Sequence, residues 1–156
     1  MRVLVISDTH GDAKRALSAY TLPEPVDVII HLGDGCAEAD LLSEALDVPV
    51  INVAGNCDLG AGAPRERVWE CEGKRILVTH GDAYQVKSGL VRLRQRAKEI
   101  GVDAVLFGHT HQALLEIQPG LLLVNPGALG SYGLHRSYAV MILSPEGITV
   151  QHYDLA

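Results

Sequence analysis

Residues Arg2 to Ser7 (RVLVIS) form an unbroken run of β-branched residues and leucine, the pattern of a strand covered on both faces. Such a strand needs a packed layer above it and another below, so it constrains the fold more than any other local feature. Asp27 to His31 (DVIIH), Val48 to Ala54 and Val102 to Phe107 repeat the pattern. Helix-period stretches lie between these runs. The first starts near Asp12, a fitting N-cap, and reaches about Tyr20 before Pro23 and Pro25. The second carries Leu41, Leu42, Ala45 and Leu46 on one stripe. The longest starts near Ser88, sets Leu90, Leu93, Ala97 and Ile100 on one face, and stops at Gly101. Arg67 to Cys71 and Lys74 to Thr79 read as a hairpin about Glu72-Gly73.

The character changes from Ala113. Ala113 to Gln118, Gly120 to Val124, Ser137 to Leu143 and Gly147 to Tyr153 read as strands without intervening helices, turned at Pro119-Gly120 and Pro145-Glu146-Gly147. Asn125-Pro126-Gly127 breaks the chain ahead of a flexible Gly130 to Gly133 segment. A βαβαβ stretch followed by antiparallel strands predicts an α/β fold of two packed sheets with helices outside. The 156 residues suit one core, and thus a single domain over 1–156.

With 47% apolar and 21% charged residues, the composition excludes a disordered chain. The apolar runs are strand-sized, well short of the roughly 20 residues that cross a bilayer. Met1 leads directly into a strand pattern without a targeting signal. Cys36, Cys57 and Cys71 are odd in number, which argues against a disulfide framework and for a reducing cytoplasm. The net charge of −6 comes with only one helix-spaced basic set, Arg92, Arg94, Arg96 and Lys98. It reads as the solvated side of a helix. A nucleic acid polymer, held mainly through its phosphates, is therefore not expected as a partner. The sequence leaves the oligomeric state open, a homo-oligomer included.

Five strands end in glycine plus Asp, Asn or His: Asp8-Thr9-His10-Gly11, Gly33-Asp34-Gly35, Gly55-Asn56-Cys57-Asp58, His80-Gly81-Asp82 and Gly108-His109-Thr110-His111. In open α/β sheets, ligands bind beyond the carboxyl ends of strands. Each residue alone has an ordinary explanation: Asp8 as a cap, His31 as a core histidine, Asn56 as a turn residue. The full set does not, since four of the seven histidines fall at these exits. Asp8/His10 and His109/His111 are i, i+2 pairs, which on an extended backbone point to the same side. Carboxylate, amide oxygen and imidazole donors without thiolate suit Mn²⁺ foremost, with Ni²⁺, Fe or Zn²⁺ as further candidates. The donors exceed what one tetrahedral ion needs. Two ions roughly 3.5–4 Å apart, sharing a carboxylate and a hydroxide, would use them all. Two divalent cations outweigh the Asp8 and Asp34 carboxylates, so the centre attracts an anionic phosphoryl group, and hydroxide attack on a small phosphate ester is the expected reaction.

The series Asp8-x-His10, Gly33-Asp34, Gly55-Asn56-x-Asp58, His80-Gly81 and Gly108-His109-x-His111 resembles the calcineurin-like metallophosphoesterase superfamily, in particular its compact bacterial and archaeal phosphodiesterase branch. The resemblance implies a four-layer α/β/β/α sandwich and a dinuclear centre. Asp8, His10 and His111 would hold one metal, Asn56, His80 and His109 the other, and Asp34 would bridge. The superfamily usually has a histidine after Gly-Asn, paired with the following Asp, to protonate the leaving group. Here Cys57 stands there, with Asp58 retained, and a thiol is a poor proton donor near neutral pH. Arg136 resembles a position that approaches substrate. His135 and His152 read as surface residues, Cys36 and Cys71 as packing residues.

A metal-dependent phosphodiesterase is the leading expectation. A non-catalytic interaction or scaffold module of the same fold is the alternative, suggested by Cys57. No Gly-x-Gly-x-x-Gly follows the first strand, which counts against a dinucleotide binder. The loops at residues 59–66 and 128–136 are where specificity would be set, and their residues are chemically bland.

Overall fold

Alternation along the first strand sets the layering. β1 (Arg2–Ile6) sends Val3 and Val5 to one side and Leu4 and Ile6 to the other, and all four are fully buried. Val3 and Val5 join the cluster that also holds Val28, Ile30, Ile76, Val78, Ala104 and Leu106. Leu4 and Ile6 join Ala16, Ala19, Ile29 and Leu42. The computed structural model describes residues 1–132 and 135–156, so the expected Gly130 to Gly133 segment ends outside the described residues.

The first sheet contains β2 (Val28–His31), β3 (Val50–Asn52), β9 (Ser137–Ser144) and β10 (Gly147–Asp154) beside β1. Its order is β10-β9-β1-β2-β3. β1, β2 and β3 are parallel, with Leu4 opposite Ile29 and Ile30 opposite Ile51, whereas β9 runs antiparallel to β1 and β10. The second sheet contains β4 (Glu66–Cys71), β5 (Lys74–Thr79), β6 (Ala104–Leu106), β7 (Ala113–Gln118) and β8 (Leu121–Pro126). Its order is β4-β5-β6-β8-β7. The middle three strands are parallel and both edges are antiparallel.

The helices α1 (Ala13–Thr21) and α2 (Cys36–Ala45) supply Ala16, Ala19 and Leu42 to the outer face of the first sheet. The helix α3 (Val91–Ile100) supplies Leu93 and Ala97 to the outer face of the second, against Leu77, Val105 and Leu123. The layers are therefore α/β/β/α, as the resemblance implies, with the sheet-on-sheet core in the middle.

The differences from the sequence reading have local causes. β3 stops at Asn52 because the Ala54 amide turns to the Pro64 carbonyl, at 2.8 Å. The stretch before α3 is two 3₁₀ turns, Asp82–Tyr84 and Val86–Ser88. Gly89, at φ 134°, interrupts the pattern, so α3 begins at Val91 instead of near Ser88. β8 continues through Pro126, which pairs with Ala113 on the edge strand β7. The segment after Gly127 is anchored at its start: Leu129 and Gly130 donate their amides to the carbonyls of Ser7 and Asp8 at 3.2 and 2.9 Å. The basic residues of α3 do more than face water. Arg94 donates to Glu116 of β7 through Nη2 at 2.7 Å and Nε at 3.1 Å, and Arg96 reaches Glu66 of β4 at 2.9 Å. α3 is thereby tied to both edges of its sheet.

Candidate metal centre

The parallel strands of both sheets release their chains toward one seam, where Asp8, His10 and Asp34 from the first sheet meet His80, His109 and His111 from the second. Asp8 Oδ2 accepts from the Ser7 hydroxyl at 2.5 Å and the His109 amide at 3.1 Å. Its other oxygen, Oδ1, faces His111 Nε2 at 3.1 Å, His10 Nε2 at 3.6 Å and His80 Nε2 at 3.8 Å. Asp34 is arranged the same way. Oδ1 accepts the Cys57 amide at 2.8 Å, and Oδ2 lies 3.3 Å from His80 Nε2 and 3.8 Å from His10 Nε2. Each carboxylate thus has one oxygen fixed by the protein and one turned toward imidazoles.

Charge follows geometry. Burial pushes the pKa of both carboxylates up, but hydrogen bonds outweigh it. His111 above all holds Asp8 below its ordinary value. His80, with the Cys57 amide, holds Asp34 well below the usual carboxylate range. His80 is fully buried. Burial alone would lower its pKa, and the Asp34 hydrogen bond and the Asp8 charge raise it. Its Nδ1–H donates to the Leu32 carbonyl at 2.7 Å, which leaves Nε2 facing the carboxylates, a proton donor to Asp34 when the ring is charged and a lone pair for a cation when it is neutral.

Three overlapping groups of donor atoms result, each within 4.8 Å: Asp8 with His10 and His111, His10 with Asp34 and Cys57, and Asp34 with His80 and His109. Divalent cations fit this arrangement on two observations. His10 Nε2 is a buried nitrogen without a hydrogen-bond partner among the described residues, an expensive state unless a cation fills it. His80 Nε2 and His109 Nδ1 face each other at 3.2 Å, two ring nitrogens that a cation could join in place of a shared proton, with Asp34 in the same donor group.

The loops that carry these donors are strained. Among the described residues, seven non-glycine positions have positive φ, and five are Asp8 (53°), His10 (44°), Asp34 (55°), His109 (70°) and His111 (61°). Each such position costs about 1–3 kcal/mol, and such residues cluster at functional sites. The i, i+2 pairs therefore do not share a side through extended backbone, as the spacing suggested. The chain leaves the strand and coils left-handed at both members of each pair. Glycines admit the close approach. A Cβ at Gly55 would strike the Asp34 carboxylate, and one at Gly108 would sit 2.7 Å from Asp8 Oδ2.

Asn56 is exposed, and its Nδ2 donates to Cys57 Sγ at 3.6 Å. Partial burial first, then the Asp34 carboxylate, holds the Cys57 thiol above its ordinary pKa, so it is neutral without a cation. Asp58 accepts four backbone amides: Asp34 and Gly55 on Oδ2, Gly35 and Cys36 on Oδ1, at 2.7–3.0 Å. Both of its oxygens are committed to the backbone, so it is not free to orient a side chain at residue 57. Arg136 has a buried Nε without a hydrogen-bond partner among the described residues, and its carbonyl accepts the Leu155 amide. No ion pair or side-chain hydrogen bond joins it to the donor groups among the described residues. His135 is exposed and lines a cavity of about 470 Å³ with His111. His152 is partly buried and donates to the Asn125 carbonyl at 2.7 Å, so it is less a surface residue than expected.

Sequence reasoning missed the polar support behind the site. His31 is fully buried, and burial lowers its pKa to about 4. Its Nδ1 accepts the Gly33 amide at 3.1 Å, so the opposite nitrogen carries the proton and donates to Thr9 Oγ1 at 2.9 Å. Thr9 donates to Glu38 Oε1 at 2.8 Å, and the Gly11 amide meets the same oxygen at 2.5 Å. Asn125 binds the Gly108 carbonyl and Thr110 Oγ1 at 3.1 and 3.0 Å, pinning the loop that bears His109. An asparagine inside an apolar strand was the available signal.

Residues 1–147 match the calcineurin-like phosphoesterase superfamily domain. The chain belongs to that superfamily. Among calcineurin-like relatives, a probable metallophosphoesterase of Bacillus subtilis, YsnB, is 37% identical over 159 aligned residues, covering 100% of this chain and 92% of its own. A phosphodiesterase of Methanocaldococcus jannaschii is 25% identical over 85% of this chain and 86% of its own. Vps29 of Chaetomium thermophilum shares the fold with a TM-score of 0.83 at 21% identity, over 100% of this chain and 88% of the other. Divalent metals are the family's cofactors, and the acidic and histidine donors at the seam fit them. Among the described residues, no helix is long and apolar enough to cross a membrane.

Proposed function

We propose that this calcineurin-like protein, as a single domain over residues 1–156, is a dinuclear metal-dependent phosphodiesterase that hydrolyses a small phosphate ester. Asp8, His10 and His111 hold one ion, Asn56, His80 and His109 hold the other, and Asp34 lies between. The observation that carries this reading is the position of Asp34 Oδ2, 3.3 Å from His80 Nε2 and 3.8 Å from His10 Nε2, between donors supplied by opposite sheets. When bound, the ions lower the pKa of water and polarise phosphoryl oxygens. The protein's own residues orient and insulate. Ser7, the His109 amide and the Cys57 amide aim one oxygen of each carboxylate inward, and the Leu32 carbonyl sets the His80 tautomer.

The substrate side is the open cavity of about 240 Å³ lined by His10, Asp34, Glu38, Cys57 and Tyr132. Its size and the net charge of −6 support a small ester over a nucleic acid polymer. Mn²⁺ is the preferred ion, ahead of Ni²⁺, Fe and Zn²⁺, because the Asp8 and Asp34 carboxylates and the Asn56 amide supply the oxygen donors that suit it. The three cysteines are unpaired, which supports work in a reducing cytoplasm. A second reading, an interaction module, is favoured by Leu114, Leu115 and Ile117, exposed on the free edge strand β7. Elemental analysis after mild metal loading, with hydrolysis of chromogenic mono- and diesters, decides between them. Close to two ions per chain and diester turnover are expected. Asp34→Ala should lose both ions and the turnover. A metal content of zero or one that Asp34→Ala leaves unchanged would defeat the dinuclear reading.

A further inference from the structure

We propose that Cys57 is itself a metal donor, recruited by thiophilic ions and left free by Mn²⁺; this rests on the dinuclear reading above. Cys57 Sγ belongs to one donor group with His10 and Asp34, all three ligand atoms within 4.8 Å. His10 and Asp34 are also the residues through which that group overlaps the other two. A sulfur beside both can therefore reach an ion held there without moving the backbone. Its position is fixed from two sides. The Cys57 amide donates to Asp34 Oδ1 at 2.8 Å, and Asn56 Nδ2 donates to the sulfur at 3.6 Å. The second contact presents sulfur as an acceptor, the role a ligand atom needs. The buried His10 Nε2, without a hydrogen-bond partner among the described residues, supplies a nitrogen donor in the same group.

Ligation exchanges the S–H bond for a sulfur–metal bond, and the proton leaves to solvent without any redox change. Thiolate selects softer ions, while Mn²⁺ prefers oxygen donors. The same chain thus has two metal-dependent states. With Mn²⁺ the thiol stays free on the wall of the 240 Å³ cavity. With Zn²⁺ or Co²⁺ the sulfur binds from the side by which substrate enters, leaving one donor position fewer for a phosphoryl oxygen. Cys57 is then neither the missing proton donor nor a spectator, but a selectivity element that penalises turnover with the wrong ion.

The test loads the full chain with Co²⁺ or Mn²⁺, as wild type, Cys57→Ser and Cys57→Ala. It reads near-ultraviolet sulfur-to-cobalt absorption and the rate of Cys57 alkylation by iodoacetamide. Cys57 is exposed, Cys71 partly exposed and Cys36 buried, and peptide mass spectrometry assigns the label to each cysteine. The Co²⁺-loaded wild type should show the absorption band, and alkylation of Cys57 should slow about tenfold or more, because a coordinated thiolate is not free to react. The Mn²⁺-loaded protein should alkylate within about twofold of the metal-free rate. Both variants should bind cobalt without the band. Full cobalt occupancy in the wild type with no band, or with unslowed alkylation, overturns the assignment of Cys57 alone. A chain that binds no divalent ion overturns the dinuclear reading, and this assignment with it.

Discussion

Asp58→Ala separates a backbone clamp from a catalytic partner. The carboxylate accepts the amides of Asp34, Gly35, Cys36 and Gly55, joining the exit of β2, the start of α2 and the exit of β3. At about 1 kcal/mol net per bond, losing four costs about 4 kcal/mol, water recovering part where it can enter. For a chain of this size that is a fall in melting temperature of about 8–16 °C. Asp58→Asn keeps one accepting oxygen, turns a donor toward two amides, and should cost about half as much. Burial raises the Asp58 pKa, but the Cys36, Gly55 and Asp34 amides bring it below its ordinary 3.8. A lowered folded pKa means the contribution is present above the unfolded value and fades as pH falls through the folded one. The gap between wild type and Asp58→Asn should therefore narrow in acid. Urea unfolding of the metal-free full chain at a series of pH values measures this. A loss under about 1 kcal/mol in Asp58→Ala, with metal content unchanged and alkyl-ester turnover gone, would refute the clamp and make Asp58 part of the chemistry.

His31 is buried neutral with its pKa lowered to about 4 from 6.5. The unfolded chain therefore binds the extra proton first, and stability should fall between pH 6.5 and 4, by up to about 3 kcal/mol at 1.36 kcal/mol per unit. Replacing it, as in His31→Gln, should flatten that slope in urea titrations, and an unchanged slope would place the proton elsewhere. Mn²⁺ should restore phosphodiester hydrolysis to the chelated protein better than Mg²⁺ or Ca²⁺, which prefer all-oxygen cages; full activity in Mg²⁺ alone would contradict this. Gly108→Ala drives a methyl into Ser7 Oγ, the partner of Asp8 Oδ2, and to within 2.7 Å of Asp8 Oδ2 itself. It should weaken metal retention about tenfold or more while leaving the fold, read by circular dichroism, intact; unaltered retention would show that the loop yields freely.

The fold was legible where composition dictates a layer. RVLVI, VIIH and AVL are buried on both faces, and only sheet centres take such runs. The donor set was legible because acids and histidines beside glycine are poor strand and helix residues. Several features were not. The left-handed turns at Asp8, His10, Asp34, His109 and His111 are uncommon even for Asp and His, the types besides glycine and Asn that best tolerate them, and tertiary contacts impose them. Glu38 reads as one more acidic residue on an exposed helix. Only the fold brings Thr9 and Gly11 to its carboxylate. The ties from Arg94 and Arg96 to β7 and β4 likewise depend on which helix lies over which sheet, and residue spacing carries no such information.

The six Asp and His donors at the seam come in equal number from the two sheets, which meet each other mainly through an apolar core. Such a core resists separation well but resists sliding weakly, because apolar contact has no direction. Donor atoms within 4.8 Å of one another from opposite sheets therefore act as a gauge of register between the layers. A small slip that the core would tolerate changes the spacing of the donors at once. Volume changes at Val5, Ile30, Val78 or Leu106, remote from any substrate, should on this account be felt first in how tightly the protein keeps its ions, and only later in whether it folds.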